Sequence, residues 1–132
     1  MREHSRNAQA LAEALVEHPE VSQVHYPGLE THPDHARAKR LFEGMSGMLS
    51  FDLKGGVEAA RRCVQRVRIP ASGPSLGGVE TLITRPATTS HAGMTPAERE
   101  AVGVSDGLIR VSVGLEGVDD LIADFRRALS PS

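Results

Sequence analysis

The hydrophobic pattern of this chain predicts an α/β fold of the α+β sandwich kind, a sheet of about four strands covered by helices. Three observations carry that reading. Segments of helical period alternate with short strand-like runs in the order α-β-α-β-α-β-α-β-α. Met48, Leu49, Phe51 and Leu53 form a nearly continuous apolar run, which predicts a strand buried on both faces. The chain of 132 residues is one domain's worth, residues 1–132, with no repeat or linker to divide it. Periodicity does not decide between antiparallel and mixed pairing.

Residues 4–18 predict a helix, with Ala8, Leu11, Ala12 and Leu15 on one face and His18-Pro19 as its stop. Val21–Tyr26 alternates as a strand does, and Pro27-Gly28 turns the chain. Pro33–Glu43 reads as a second helix with a basic C-terminal half, ended by Gly44. Gly47–Leu53 is the second strand. Lys54-Gly55-Gly56 turns into a helix over Val57–Val67, with Val57, Ala60, Val64 and Val67 on one face.

From Ile69 to Gly78 the chain holds Pro70, Gly73, Pro74, Gly77 and Gly78, and no regular element is expected there. Thr81–Arg85 is a short strand closed by Pro86. Thr95-Pro96 starts a helix, with proline at its first position. Leu108–Leu115 is the last strand. Val118–Leu129 is the last helix, with Asp119 and Asp120 in its first turn and Arg126 and Arg127 in its last, as the helix dipole favours.

Composition narrows the function. A net charge of −2 leaves no basic field for nucleic acid. One Tyr, three Phe and no Trp leave no stacking platform for single strands. No run reaches the roughly 18 apolar residues of a membrane span, and the first residues lack an apolar leader segment. Cys63 is the only cysteine, so no internal disulfide and no cysteine-based zinc cluster is expected. A half-buried, inert thiol fits its helical surroundings. These features together predict a cytoplasmic protein.

Arg110 is the first candidate for chemistry. In Leu108–Val113, side chains alternate: Leu108, Arg110 and Ser112 share one face, and Ile109, Val111 and Val113 the other. The arginine is therefore either a solvent-side or salt-bridged residue, or a bidentate clamp on a carboxylate. Ser75 is the second. Gly73-Pro74-Ser75-Leu76-Gly77 matches a nucleophile-elbow pattern, with His91 and Asp106 or Glu80 as triad partners. The prolines before Ser75 spoil the strand that motif needs, and a loop hydroxyl bonded to nearby backbone is the simpler reading.

His25, His32 and His35 are close in sequence, but a metal would need a further ligand, so none is expected. The only lysines, Lys39 and Lys54, lie on a charged helix and in a turn. Neither position has the desolvation that a Schiff-base lysine needs.

Several motifs in order bear a resemblance across nearly the whole chain, from His4 to Leu129. They are His18-Pro19, Tyr26-Pro27-Gly28-Leu29, His32-Pro33-Asp34-His35, Gly47-Met48-Leu49-Ser50-Phe51, and Ser75-Leu76-Gly77-Gly78-Val79-Glu80-Thr81-Leu82. Pro86-Ala87, His91-Ala92 and Ile109-Arg110-Val111-Ser112-Val113-Gly114-Leu115-Glu116 complete the set. The chain resembles the C-terminal domain of the Cys/Met-metabolism pyridoxal-phosphate enzymes, the family of cystathionine γ-synthase, cystathionine γ- and β-lyases and methionine γ-lyase.

The resemblance implies the small C-terminal domain of a fold-type I enzyme that uses pyridoxal 5'-phosphate. It implies β- or γ-elimination or γ-replacement on a sulfur amino acid. Arg110 matches the arginine that binds the substrate α-carboxylate. Ser75 and Leu76 match the substrate-facing loop, with Ser75 also near the cofactor lysine. The lysine itself would belong to an N-terminal large domain preceding residue 1, so no catalytic residue is expected here and the chain alone should be inactive. A homotetrameric parent is also implied. Some family members carry Glu just before the serine, where it meets the distal ammonium of cystathionine; Pro74 stands there in this chain. The alternatives are a stand-alone domain that binds a carboxylate metabolite and, more remotely, a serine hydrolase.

Overall fold

The computed structural model describes residues 1–131. Helix α1 covers Arg2–Val16, and strand β1 (Val21–His25) follows the His18-Pro19 stop. Next come α2 (His35–Leu41), β2 (Met48–Leu53) and α3 (Gly56–Arg66). Two short strands, β3 (Ala71–Ser72) and β4 (Leu82–Thr84), precede a 3-10 turn at Pro86–Thr88. Helix α4 (Pro96–Ala101), strand β5 (Ile109–Ser112) and helix α5 (Val118–Leu129) complete the order. Helix α4 starts on a capping box: Thr95 Oγ1 accepts from the Glu98 amide, and the Glu98 carboxylate accepts from the Thr95 amide.

Among the described residues the sheet has five strands in the order β1-β2-β5-β4-β3. The pairs β1–β2, β2–β5 and β4–β5 are antiparallel, and β3–β4 is parallel. The sheet is therefore mixed. The fifth strand lies in the segment expected to be irregular. Pro70 and Pro74 bracket it, but the amides of Ala71 and Gly73 are free to donate, and they reach the carbonyls of Thr81 and Ile83.

One face of the sheet carries the core. Leu49, Phe51 and Leu53 of β2, Ile109 and Val111 of β5, and Ile83 of β4 point into it. Ala8, Leu11, Ala12 and Leu15 of α1, Ala60 and Cys63 of α3, and Leu121, Phe125 and Ala128 of α5 cover them. Phe51 meets Phe125 edge to face, with ring centroids 6.2 Å apart. Each large apolar side chain so buried contributes about 1.5–3 kcal/mol of transfer free energy, against the entropy of ordering it.

Two expectations change. Strand β2 is not buried on both faces: Leu49, Phe51 and Leu53 are buried, while Met48, Ser50 and Asp52 are only half-buried. Its second face meets polar neighbours. Helix α2 is shorter than Pro33–Glu43, and it turns Ala38 inward while Leu41 and Phe42 stay exposed. Asp34 is its N-cap residue, and the preceding His32-Pro33 belongs to a turn.

Candidate functional site

The face opposite the core helices is set by strand parity. Ser50, Arg110 and Thr84 lie in register across β2, β5 and β4, and Met48, Ser112 and Leu82 form the next row. Ile109, Val111 and Val113 sit in the core, so Arg110 and Ser112 must point the other way. The arginine interrupts no apolar packing.

The Arg110 guanidinium is half-buried. Its Nη2 donates to the carbonyl oxygens of Pro74 and Ser75, the latter at 3.0 Å. No carboxylate pairs with it, and its buried Nε has no partner among the described residues. Nη1 likewise makes no hydrogen bond among them. A cation whose remaining donors are unmet has capacity for an anion, and a planar fork suits a carboxylate. The salt-bridged alternative for Arg110 is thus not what the structure contains.

Residues 73–81 form the loop that crosses this face. Ser75 and Leu76 are both exposed, Leu76 at 60%. The Ser75 hydroxyl makes no hydrogen bond among the described residues, whereas its carbonyl is held by Arg110. Gly77 takes a φ of +80° that a side chain would strain, and its amide donates to Ser112 Oγ at 3.0 Å. The Gly78 carbonyl lies 2.9 Å from His4 Nε2, and the Val79 carbonyl accepts from the Leu115 amide at 2.8 Å.

The loop ends on Thr81, which is fully buried. Its amide and hydroxyl donate to the two oxygens of the Glu116 carboxylate, each at 2.6 Å. Thr81 Oγ1 also accepts from the Gly114 amide at 2.9 Å. This approach depends on Gly114. A Cβ there would stand 2.6 Å from the Glu80 carbonyl carbon and 2.7 Å from the Thr81 nitrogen.

The Arg110 guanidinium therefore meets the Ser75 carbonyl, and Leu76 follows in the same exposed loop. The triad does not assemble. The His91 ring bonds Ser90 Oγ at 2.8 Å, the Asp106 carboxylate is held by Arg99 at 2.9 Å, and Glu80 is exposed. The clustered histidines each have a partner within the chain. His25 Nε2 lies 2.9 Å from Asp52 Oδ2, His32 Nδ1 accepts from the Asp34 amide, and His35 Nδ1 lies 2.8 Å from the Pro27 carbonyl. Among the described residues no three His, Cys, Asp or Glu are grouped to hold a metal. Cys63 is more deeply buried than expected, at 1% exposure, and burial pushes its thiol up to about 12.

Sequence reasoning did not single out Ser112, Glu116 or His4 as partners of the loop. Their bonds span 35 to 74 residues.

A two-layer α/β unit with an arginine and a hydroxyl-bearing loop on its open sheet face is thus defined. Residues 1–130 match the family model of the Cys/Met metabolism PLP-dependent enzymes, and the chain belongs to that family. It is 46% identical over 129 residues to an L-methionine gamma-lyase of Fusobacterium nucleatum subsp. polymorphum, covering 98% of this chain and 33% of the relative. It is 45% identical over 130 residues to an O-succinylhomoserine sulfhydrylase of Pseudomonas aeruginosa, covering 98% and 32%. The crystal structure of cystathionine gamma synthase from Xanthomonas oryzae pv. oryzae, in complex with aminoacrylate and cysteine, superposes with a TM-score of 0.92 at 49% identity. That match covers 98% of this chain and 33% of the other.

The chain spans about a third of the length of these relatives. The family is defined by pyridoxal phosphate, whose aldehyde requires a desolvated amine. Lys39 and Lys54 are this chain's only lysines, and both are exposed. The residues present therefore do not fit the task of holding the cofactor covalently. Among the described residues no helix is long and apolar enough to cross a membrane.

Proposed function

We propose that this chain is the C-terminal domain of a pyridoxal-phosphate-dependent sulfur-amino-acid enzyme, and that it binds the substrate α-carboxylate through Arg110. The observation that carries this is the state of the guanidinium. One nitrogen is engaged by loop carbonyls, and among the described residues neither the buried Nε nor Nη1 has a partner. Ser75 and Leu76 line the same site, with Ser75 facing the cofactor lysine, which we assign to an N-terminal large domain outside these residues. Fixing the carboxylate binds the amino acid with its Cα bonds in one orientation. An arginine fork defines that orientation better than a lysine ammonium would.

The reaction class is elimination or replacement at the β or γ carbon of a sulfur amino acid, in a cytoplasmic homotetramer. Cystathionine occupies one solved relative, the Xanthomonas oryzae synthase. Pro74 offers no carboxylate to a distal ammonium, which favours substrates such as methionine that have no second ammonium.

The test uses this chain and the full-length protein side by side. With added pyridoxal phosphate, the 132-residue chain should release no 2-oxo acid from cystathionine or methionine, whereas the full-length protein should. Turnover by the chain alone would overturn the assignment of the lysine to another domain.

A further inference from the structure

The loop that carries Ser75 is held almost entirely by polar ties. Leu76 is 60% exposed and Val79 72%, so apolar burial does little to fix it. With glycines at 73, 77 and 78 the segment also has little stiffness of its own. Its position follows from what grips it. The Glu116 carboxylate takes both donors of Thr81 at the loop's end, and the Ser112 hydroxyl takes the Gly77 amide in its middle.

Both anchors belong to the segment that carries Arg110, two and six residues beyond it. Asn7 of α1 braces that segment in turn, its Nδ2 donating to the carbonyls of Gly114 and Glu116 at 3.1 and 3.2 Å. The loop and the arginine are thus referenced to one piece of backbone.

We infer that Glu116 and Ser112 are positioning residues for the carboxylate site: they hold residues 74–81 against β5, so that the Pro74 and Ser75 carbonyls aim the Arg110 guanidinium. This rests on the carboxylate reading of Arg110. The Ser112 hydroxyl and the Glu116 carboxylate are both taken up by donors of the loop. Loss of the Glu116 carboxylate would leave the amide and hydroxyl of fully buried Thr81 without their acceptor. The loop would then sample other positions, and the guanidinium would lose its two fixed acceptors.

The experiment has two arms. In this chain, amide hydrogen exchange at Gly77 and Thr81 is compared among wild type, Glu116→Ala, Glu116→Gln and Ser112→Ala. Alanine at 116 should speed exchange at both amides by at least about tenfold, and Ser112→Ala should do so mainly at Gly77. In the full-length holoenzyme the same variants, with Arg110→Ala, are assayed on methionine or cystathionine. Glu116→Ala and Ser112→Ala should raise KM about tenfold, with kcat changed far less, and Glu116→Gln should recover much of the loss.

Unchanged exchange in Glu116→Ala overturns the inference at its structural step. Faster exchange with wild-type KM overturns it at its functional step, while a raised KM in Arg110→Ala would leave the carboxylate reading standing. A wild-type KM in Arg110→Ala overturns that reading and this inference together. Ser112→Ala removes a single hydroxyl tie and leaves the Thr81–Glu116 bonds in place, so it reports even where Glu116→Ala fails to fold.

Discussion

The Asp124 carboxylate accepts the backbone amide of Ile69 at 2.8 Å, tying the end of the α3 segment to the middle of α5. The same oxygen takes the Arg68 amide, and the other takes Arg127 Nη2 at 2.6 Å. Burial alone would raise this carboxyl's pKa. The Ile69 amide, the Arg127 side chain and the Arg68 amide outweigh it and hold the pKa below the usual carboxylate range. Because the folded value lies below the unfolded one, the stabilisation is present above the unfolded pKa and is lost as pH falls through the folded pKa. Asp124→Asn should lower unfolding free energy at neutral pH by about 2 kcal/mol. Urea titrations should show the gap to wild type closing below about pH 4.

Arg110→Ala in the full-length enzyme should reduce kcat/KM for the amino-acid substrate on the order of a hundredfold, the loss expected when a charge-assisted pair is removed. Arg110→Lys should recover only part, because an ammonium cannot reproduce the fork. Steady-state kinetics on both variants decide it, and near-wild-type values for the alanine variant would remove Arg110 from the site.

Gly114→Ala should destabilise the fold by about 1–3 kcal/mol, the usual range for overpacking. The added Cβ would meet backbone atoms of Glu80 and Thr81 rather than a flexible side chain. A loop displaced by it should also lose the Thr81–Glu116 bonds. Thermal unfolding and the crystal structure of the variant test both parts.

Cys63 should resist thiol reagents in the folded protein. Its thiol is buried against the core and pushed up to about 12. Labelling by a disulfide reagent at pH 8 should therefore follow the rate of unfolding, and become immediate in denaturant. Rapid labelling of native protein would mean that α3 opens locally from α5.

Where local pattern matched tertiary demand, the sequence was readable. The apolar stripes of α1 and α5 and the Thr95 start of α4 appear where periodicity and capping put them, whereas β5 covers only Ile109–Ser112 of the expected Leu108–Leu115. Strand β3 was not readable, because two residues between prolines carry no period and owe their state to the Thr81 and Ile83 carbonyls. Helix α2 is shorter than Pro33–Glu43 because Asp34 stands outside it as the N-cap residue and Phe42 already has extended backbone. Of the proposed site, Arg110, Ser75 and Leu76 rest on the family resemblance. Ser112, Glu116 and His4 were not, since a side chain that bonds backbone 35 or more residues away leaves no local mark.

The order of the sheet sets a schedule for synthesis. Strand β5 is the last to be made, yet it lies in the middle, between β2 and β4. Until residues 109–112 leave the ribosome, β2 has only β1 beside it, and β4 lacks its antiparallel neighbour. The inner edge of β2, with Leu49 and Phe51, must therefore wait unpaired until β5 is made. At the usual 5–20 residues per second the wait over the roughly 60 residues from β2 to β5 is several seconds. A nascent chain stalled short of β5 should accordingly be held by a chaperone, and one carried past α5 released from it.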